Sequence, residues 1–228
     1  MKFVKHDRRL LFTVGAAVWL AGASFPLAPT EQSMHSAETG TVAGRVLFDG
    51  GAAPEGIDAT ETIVYLLGDS LVGAEPAQPL PAPTLDQFDY TFVPHVLGML
   101  AGTRITFTNN DPETHNIHTR TKSRRRKNRS FNRAQKPGSV MSTVFQRPDS
   151  IRVQCDIHAQ MLAHIFVLPN PFFTMAAEDG TFTIAGVPVG SHELIVWHEE
   201  YGTLKSMVDV RKGETTTVTL DFAGRSNP

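Results

Sequence analysis

Beyond residue 40 the chain alternates apolar and polar residues with a period of two. The pattern is carried by TVAGRVLF (41–48), ETIVYLL (61–67), TRITFTN (103–109), SIRVQC (150–155), AHIFVL (163–168), GTFTIAGV (180–187), HELIVWH (192–198) and TTTVTLDF (215–222). Gly, Pro, Asn or Asp separates one segment from the next, as turns between half-buried strands require. No stretch of helical period survives outside the first 28 residues. Many short strands at such intervals predict an all-β protein, built as sandwiches or barrels with Greek-key connections.

The first residues follow a different rule. MKFVKHDRR is basic, and LLFTVGAAVWLAGA after it is apolar but shorter than the roughly 20 residues that span a bilayer. Residues 1–28 are therefore read as a signal peptide, with Ala21, Ala23 and Ala28 as small residues for cleavage. Arg8-Arg9-Leu10-Leu11-Phe12 also resembles a twin-arginine export signal. Either route predicts a periplasmic or secreted protein with no stable membrane span once the signal is cleaved.

Proline marks the seams. EPAQPLPAP (75–83) holds four prolines in nine positions, which suits an extended linker and excludes a central strand. LPNPFF (168–173) is a second break. These divide the chain into a first flanking β part at 40–70, a linker at 71–87, a central domain at 88–168 and a second flanking part at 169–223. Residues 40–67 resemble the opening strands of carboxypeptidase regulatory-like domains, and 173–222 resemble the closing half of that module. Two arrangements follow: the central domain is inserted into a loop of the flanking one, or residues 40–67 supply first strands to the central domain in series.

Composition narrows the partners. A formal net charge of −2 with 19% charged residues describes an ordinary globular protein without a large polyelectrolyte partner. The cysteine count says more. Exported proteins normally pair their cysteines, yet Cys155 is alone, which implies an intermolecular bridge, a reactive thiol or a metal ligand.

The stretch around Cys155 favours the last. In Ile151-Arg152-Val153-Gln154-Cys155 the strand parity turns Ile151, Val153 and Cys155 inward. Asp156 to Met161 is long enough only for a tight loop, which can return His158 and Met161 toward the thiol. Upstream, a strand with Ile105 and Phe107 inward runs into a polar turn and then His115-Asn116. Two imidazoles, a thiolate and a distant thioether form the donor set that favours a type 1 copper centre, because soft sulfur holds Cu(I) while imidazole holds Cu(II). A buried inert Cys beside incidental histidines is the bland alternative. Zinc is another, although zinc sites rarely recruit a thioether.

Residues 88–168 resemble a small cupredoxin of the plastocyanin and amicyanin type. The resemblance rests on Phe92-x-Pro94, Gly102-Thr103, Asn109-x-Asp111, His115-Asn116 and the C-x2-H-x2-M loop from Cys155 to Met161. It implies a Greek-key β-sandwich, with a second small β-sandwich contributed by the flanks. It also implies one copper ion, with His115, Cys155 and His158 as the close ligands, Met161 as the weak axial ligand, and Asn116 pinning the two ligand loops together.

The remaining histidines carry less. His118 has strand parity opposite to His115, so it is expected at the surface or behind the ligands. His95 and His164 are read as ordinary half-buried histidines, and Trp197 as a core residue. RTKSRRRKNRSFNR (120–133) contains eight Lys or Arg and no acid. It reads either as a solvated loop or as a docking patch for an acidic redox partner protein. Nucleic acid is excluded as a partner by export and by the lack of interleaved aromatic residues. The function that follows is one-electron transfer by a protein that is not an enzyme, since no His-x-His pair for further copper occurs. Copper delivery, or an extracellular binding module with an auxiliary copper site, are the alternatives.

Overall fold

A computed structural model describes residues 38–76, 78–122 and 128–224. The signal-like residues 1–28 and the centre of the basic run, 123–127, lie outside the described residues. Within them the chain is all-β. Its sixteen strands are β1 (Thr39–Leu47), β2 (Ile63–Leu67), β3 (Thr84–Phe88), β4 (Thr91–Val93), β5 (Val96–Leu100), β6 (Arg104–Asn109), β7 (His115–Thr121), β8 (Asn132–Gln135), β9 (Val140–Val144), β10 (Asp149–Gln154), β11 (Leu162–Leu168), β12 (Phe173–Met175), β13 (Thr181–Pro188), β14 (Gly190–His198), β15 (Gly202–Val210) and β16 (Thr215–Asp221). Two single-turn 3-10 helices, Ala59–Glu61 and Asp69–Leu71, are the helical elements among the described residues. None is long and apolar enough to cross a membrane.

The strands form four sheets, which face one another in pairs. Sheets ordered β5-β11-β10-β7-β8 and β4-β3-β6-β9 enclose one core, which includes Leu85, Ile105, Phe107, Ile117, Phe145, Ile151, Val153 and Ile165. The inward residues expected from alternation in β6 and β10 are the buried ones, while Arg152 is exposed. Each large side chain removed from water this way contributes roughly 1.5–3 kcal/mol before the entropy of ordering it is counted.

Strands from both ends of the chain build the other sandwich. Its sheets are ordered β13-β1-β16 and β12-β2-β14-β15. β1 pairs antiparallel with β13 and parallel with β16, and β2 runs antiparallel to β12 and β14. Val42, Val46, Leu66, Phe182, Ile184, Leu194, Val196 and Phe222 fill its core. A third, smaller cluster of Ile63, Val96, Phe166 and Leu168 joins β2 to β5 and β11, with Tyr65, Phe173 and Trp197 packed against it. Gly98 sits at this junction. A β-carbon there would lie 2.8 Å from the Phe173 ring and 3.0 Å from Ile63 Cδ1.

Strand structure also reaches segments that sequence alternation does not mark. β3 begins at Thr84, within the 71–87 stretch, and pairs parallel with β6. The run at 120–133 is entered by β7 and left by β8, which pair with each other. Asn128 closes that crossing, donating Nδ2–H to the Arg147 carbonyl and accepting the Arg147 amide.

Candidate metal centre

The polar turn between β6 and β7 is folded by side chains that replace a regular ladder. Asn109, at the end of β6, accepts the Asp111 amide on Oδ1 and donates Nδ2–H to the carbonyls of Glu113 and Gln135. Asp111 is thereby turned inward. Its carboxylate accepts the amides of Asp89 (2.6 Å) and Tyr90 (3.0 Å), and Oδ2 lies 2.6 Å from His115 Nε2. Burial alone would raise this carboxyl. The Tyr90 amide, the His115 ring and the Asp89 amide outweigh it and hold it below the usual carboxylate range. A carboxylate only accepts, so the His115 proton is on Nε2 and the lone pair is on Nδ1.

His115 opens β7 and is fully buried. Its Nδ1 faces His158 Nδ1 at 2.9 Å, and Cys155 Sγ lies 4.0 Å from the same His158 nitrogen. One ligand atom from each of His115, Cys155 and His158 lies within 4.8 Å of the other two. The loop that brings them together is short because it closes on itself. The Cys155 amide donates to the Met161 carbonyl, and the Met161 amide donates to the His158 carbonyl.

Met161 is fully buried in the core cluster that also holds Cys155. Asn116 fastens the two ligand segments to each other: its Oδ1 accepts the Asp156 amide at 2.7 Å and the Cys155 thiol at 3.3 Å. Its Nδ2 donates to Asn132 Oδ1 and Asp156 Oδ2. His118 is turned away from this group and pairs with Asp156 through Nδ1. That hydrogen bond comes first, then Gln154, in holding the exposed Asp156 carboxyl well below its ordinary range.

Two features escape sequence reasoning. Tyr90 packs its ring edge-on against both His115 (centroids 5.6 Å) and His158 (5.0 Å). It holds this place from a left-handed backbone conformation, φ 56°. The second is the Asp111 carboxylate behind His115. The spacing of Asp111 four residues before His115 is a weak signal for that contact, whereas nothing local in the sequence points to Tyr90. His95 and His164, expected as ordinary half-buried histidines, both contact Glu199 in the turn between β14 and β15.

The donors fit a thiophilic ion. Two ring nitrogens and a thiol face one another, one ring is held in the tautomer that presents Nδ1, and a thioether-bearing residue is buried in the same core.

Comparisons with known proteins add the following. A PEGA domain model matches residues 181–225, the stretch that contains β13 to β16. No curated protein matches the chain. Among solved structures, the chain is similar to a copper-containing nitrite reductase from Thermus scotoductus SA-01, at 22% identity and a TM-score of 0.34, over 54% of this chain and 28% of that one. It is similar to a purple cupredoxin from Nitrosopumilus maritimus at 21% identity and a TM-score of 0.32, over 38% of this chain and 99% of that one. It is similar to an oxidised amicyanin variant at 18% identity and a TM-score of 0.34, over 38% of this chain and 82% of that one. The chain thus spans little more than a quarter of the reductase's length.

Proposed function

We propose that this chain is an exported type 1 copper protein that transfers single electrons and is not itself an enzyme. The observation that carries the reading is the convergence of His115 Nδ1, His158 Nδ1 and Cys155 Sγ, with the thiol already accepted by Asn116 Oδ1. His115, Cys155 and His158 are the close ligands and Met161 the weak one. Copper held there supplies a couple between Cu(II) and Cu(I).

The protein's part is to keep those donors still. Asp111 fixes the His115 ring, Asn116 ties Cys155 to β7, and Tyr90 presses on both imidazoles. Donors locked by their own partners change little between oxidation states, which keeps reorganisation small. The half-buried His158 is the route outward, beside the exposed side chains of Ile157 and Tyr90. The basic run 120–133 attracts an acidic redox partner to the protein. The sandwich built from both chain ends is read as a carboxypeptidase regulatory-like or PEGA-type module that carries the copper domain.

The test is voltammetry and self-exchange of the copper-loaded chain. Reversible one-electron behaviour, with a potential that rises in Met161→Leu, supports the carrier. Ready loss of Cu(I) to a chelator, with slow exchange, would instead identify copper delivery.

A further inference from the structure

A second group of ligating side chains lies where the two sandwiches meet. His95 precedes β5 and His164 lies in β11, both in the central sandwich, whereas Glu199 comes from the flanking one. One ligand atom from each lies within 4.8 Å of the other two. Glu199 Oε2 is 2.6 Å from His95 Nε2, and Oε1 is 3.0 Å from His164 Nε2. The cluster is half-buried, with side-chain exposures of 24% for His95, 14% for His164 and 34% for Glu199. It is sheltered from bulk water yet reachable from it.

The orientation of His95 is the informative detail. Its Nδ1 lies 2.9 Å from the Leu162 carbonyl oxygen, which only accepts, so Nδ1 carries a proton. Metal-ligating imidazoles are held in just this way by their outer nitrogen. In the neutral ring Nε2 then presents a lone pair, and it faces a carboxylate oxygen at 2.6 Å. At that distance a second ring proton joins the two in the metal-free chain, and a bound cation takes the place of that proton.

Three ligating side chains from two sandwiches, each offering an atom within 4.8 Å of the others, form a cluster of the size that holds one cation. Burial pushes the His164 ring below the ordinary histidine range, against the pull of Glu199. Burial would raise the Glu199 carboxyl, but the His164 and His95 rings outweigh it and hold it below the ordinary carboxylate range. Glu61 adds a further carboxyl within electrostatic reach of His95 and Glu199. Arg152, opposite His164 across the β10 and β11 pair, is the charge that opposes a bound cation.

We propose that His95, His164 and Glu199 bind one divalent ion of the zinc class, which ties the flanking sandwich to the central one. Two imidazoles and a carboxylate, without sulfur, suit Zn(II) and leave a position for water or a further carboxylate. The site is separate from the Cys155 centre and does not depend on the reading of that centre.

The test is a zinc titration of the Cys155→Ser chain, in which the thiolate cannot compete. One equivalent should bind and raise Tm. Glu199→Gln, His164→Gln and His95→Gln should each weaken that binding at least about tenfold, the loss seen when even a supporting group of a metal site is removed. They should also abolish the zinc-dependent rise in Tm. Copper loading of Glu199→Gln with Cys155 intact checks its folding and reads the Cys155 centre independently. Absence of zinc binding to Cys155→Ser, or binding unaltered by these three variants, would overturn the proposal.

Discussion

His115 Nε2 lies 2.6 Å from Asp111 Oδ2, and both side chains are buried. The pair orders both loops on one side of the site, because the same carboxylate also takes the amides of Asp89 and Tyr90. Tyr90 is thereby set against the two histidines. Asp111→Ala leaves two amides and a buried ring without their acceptor. It should lower unfolding stability by about 3 kcal/mol, from the desolvation cost of groups that lose a charged partner. Asp111→Asn should cost less and should free the His115 proton to exchange between ring nitrogens. Denaturant unfolding and nitrogen chemical shifts of His115 check the two halves of this expectation.

Tyr90 closes the site at the price of a left-handed residue. Tyr90→Gly relaxes the backbone but removes the ring that covers His158. Cys155 is only 3% exposed, so alkylation of the thiol in the metal-free chain should be slow. It should become markedly faster in Tyr90→Gly while Tm changes little. Unchanged alkylation would mean that access to the thiol lies elsewhere.

The junction of the sandwiches leaves no room at Gly98. Gly98→Ala drives a methyl group into the Phe173 ring and Ile63, an overpacking that should cost about 1–3 kcal/mol. Denaturant unfolding would show it. A neutral outcome would mean that Phe173 can turn aside.

Tyr65 gives the alkaline limit of stability. Burial, then the Glu193 charge, raises its phenol above the ordinary value of 10.0. The unfolded chain therefore loses this proton first. The stabilising contribution is whole below pH 10 and is lost as pH climbs through the higher folded value. Tyr65→Phe should flatten the fall of stability above pH 10 and leave the neutral range unaltered, as unfolding measured across pH would show.

Much of this architecture is legible in the sequence where one strand face is apolar. β6 and β10 alternate cleanly, so Ile105, Phe107, Ile151 and Val153 declare their burial. β8 and β9 do not. Asn132–Gln135 has Ala134, itself exposed, as its one apolar residue, and Val140 is exposed although its strand is paired. Such edge strands are held by backbone ladders and by buried amides such as Gln135, which Gln87 bonds across the core. The meeting of Cys155 with His158 is legible because a loop of so few residues has nowhere else to go. Glu199 is not, since its contact with His95 joins residues 104 apart in sequence, and only the packing of two sandwiches creates it.

The most direct measurement is stoichiometric addition of Cu(II) to the purified chain, followed by visible absorption and electron paramagnetic resonance. One intense thiolate-to-copper band and a narrow hyperfine splitting are expected, both lost in Cys155→Ser. A colourless copper adduct, or a band that persists without the thiol, would contradict the type 1 copper reading.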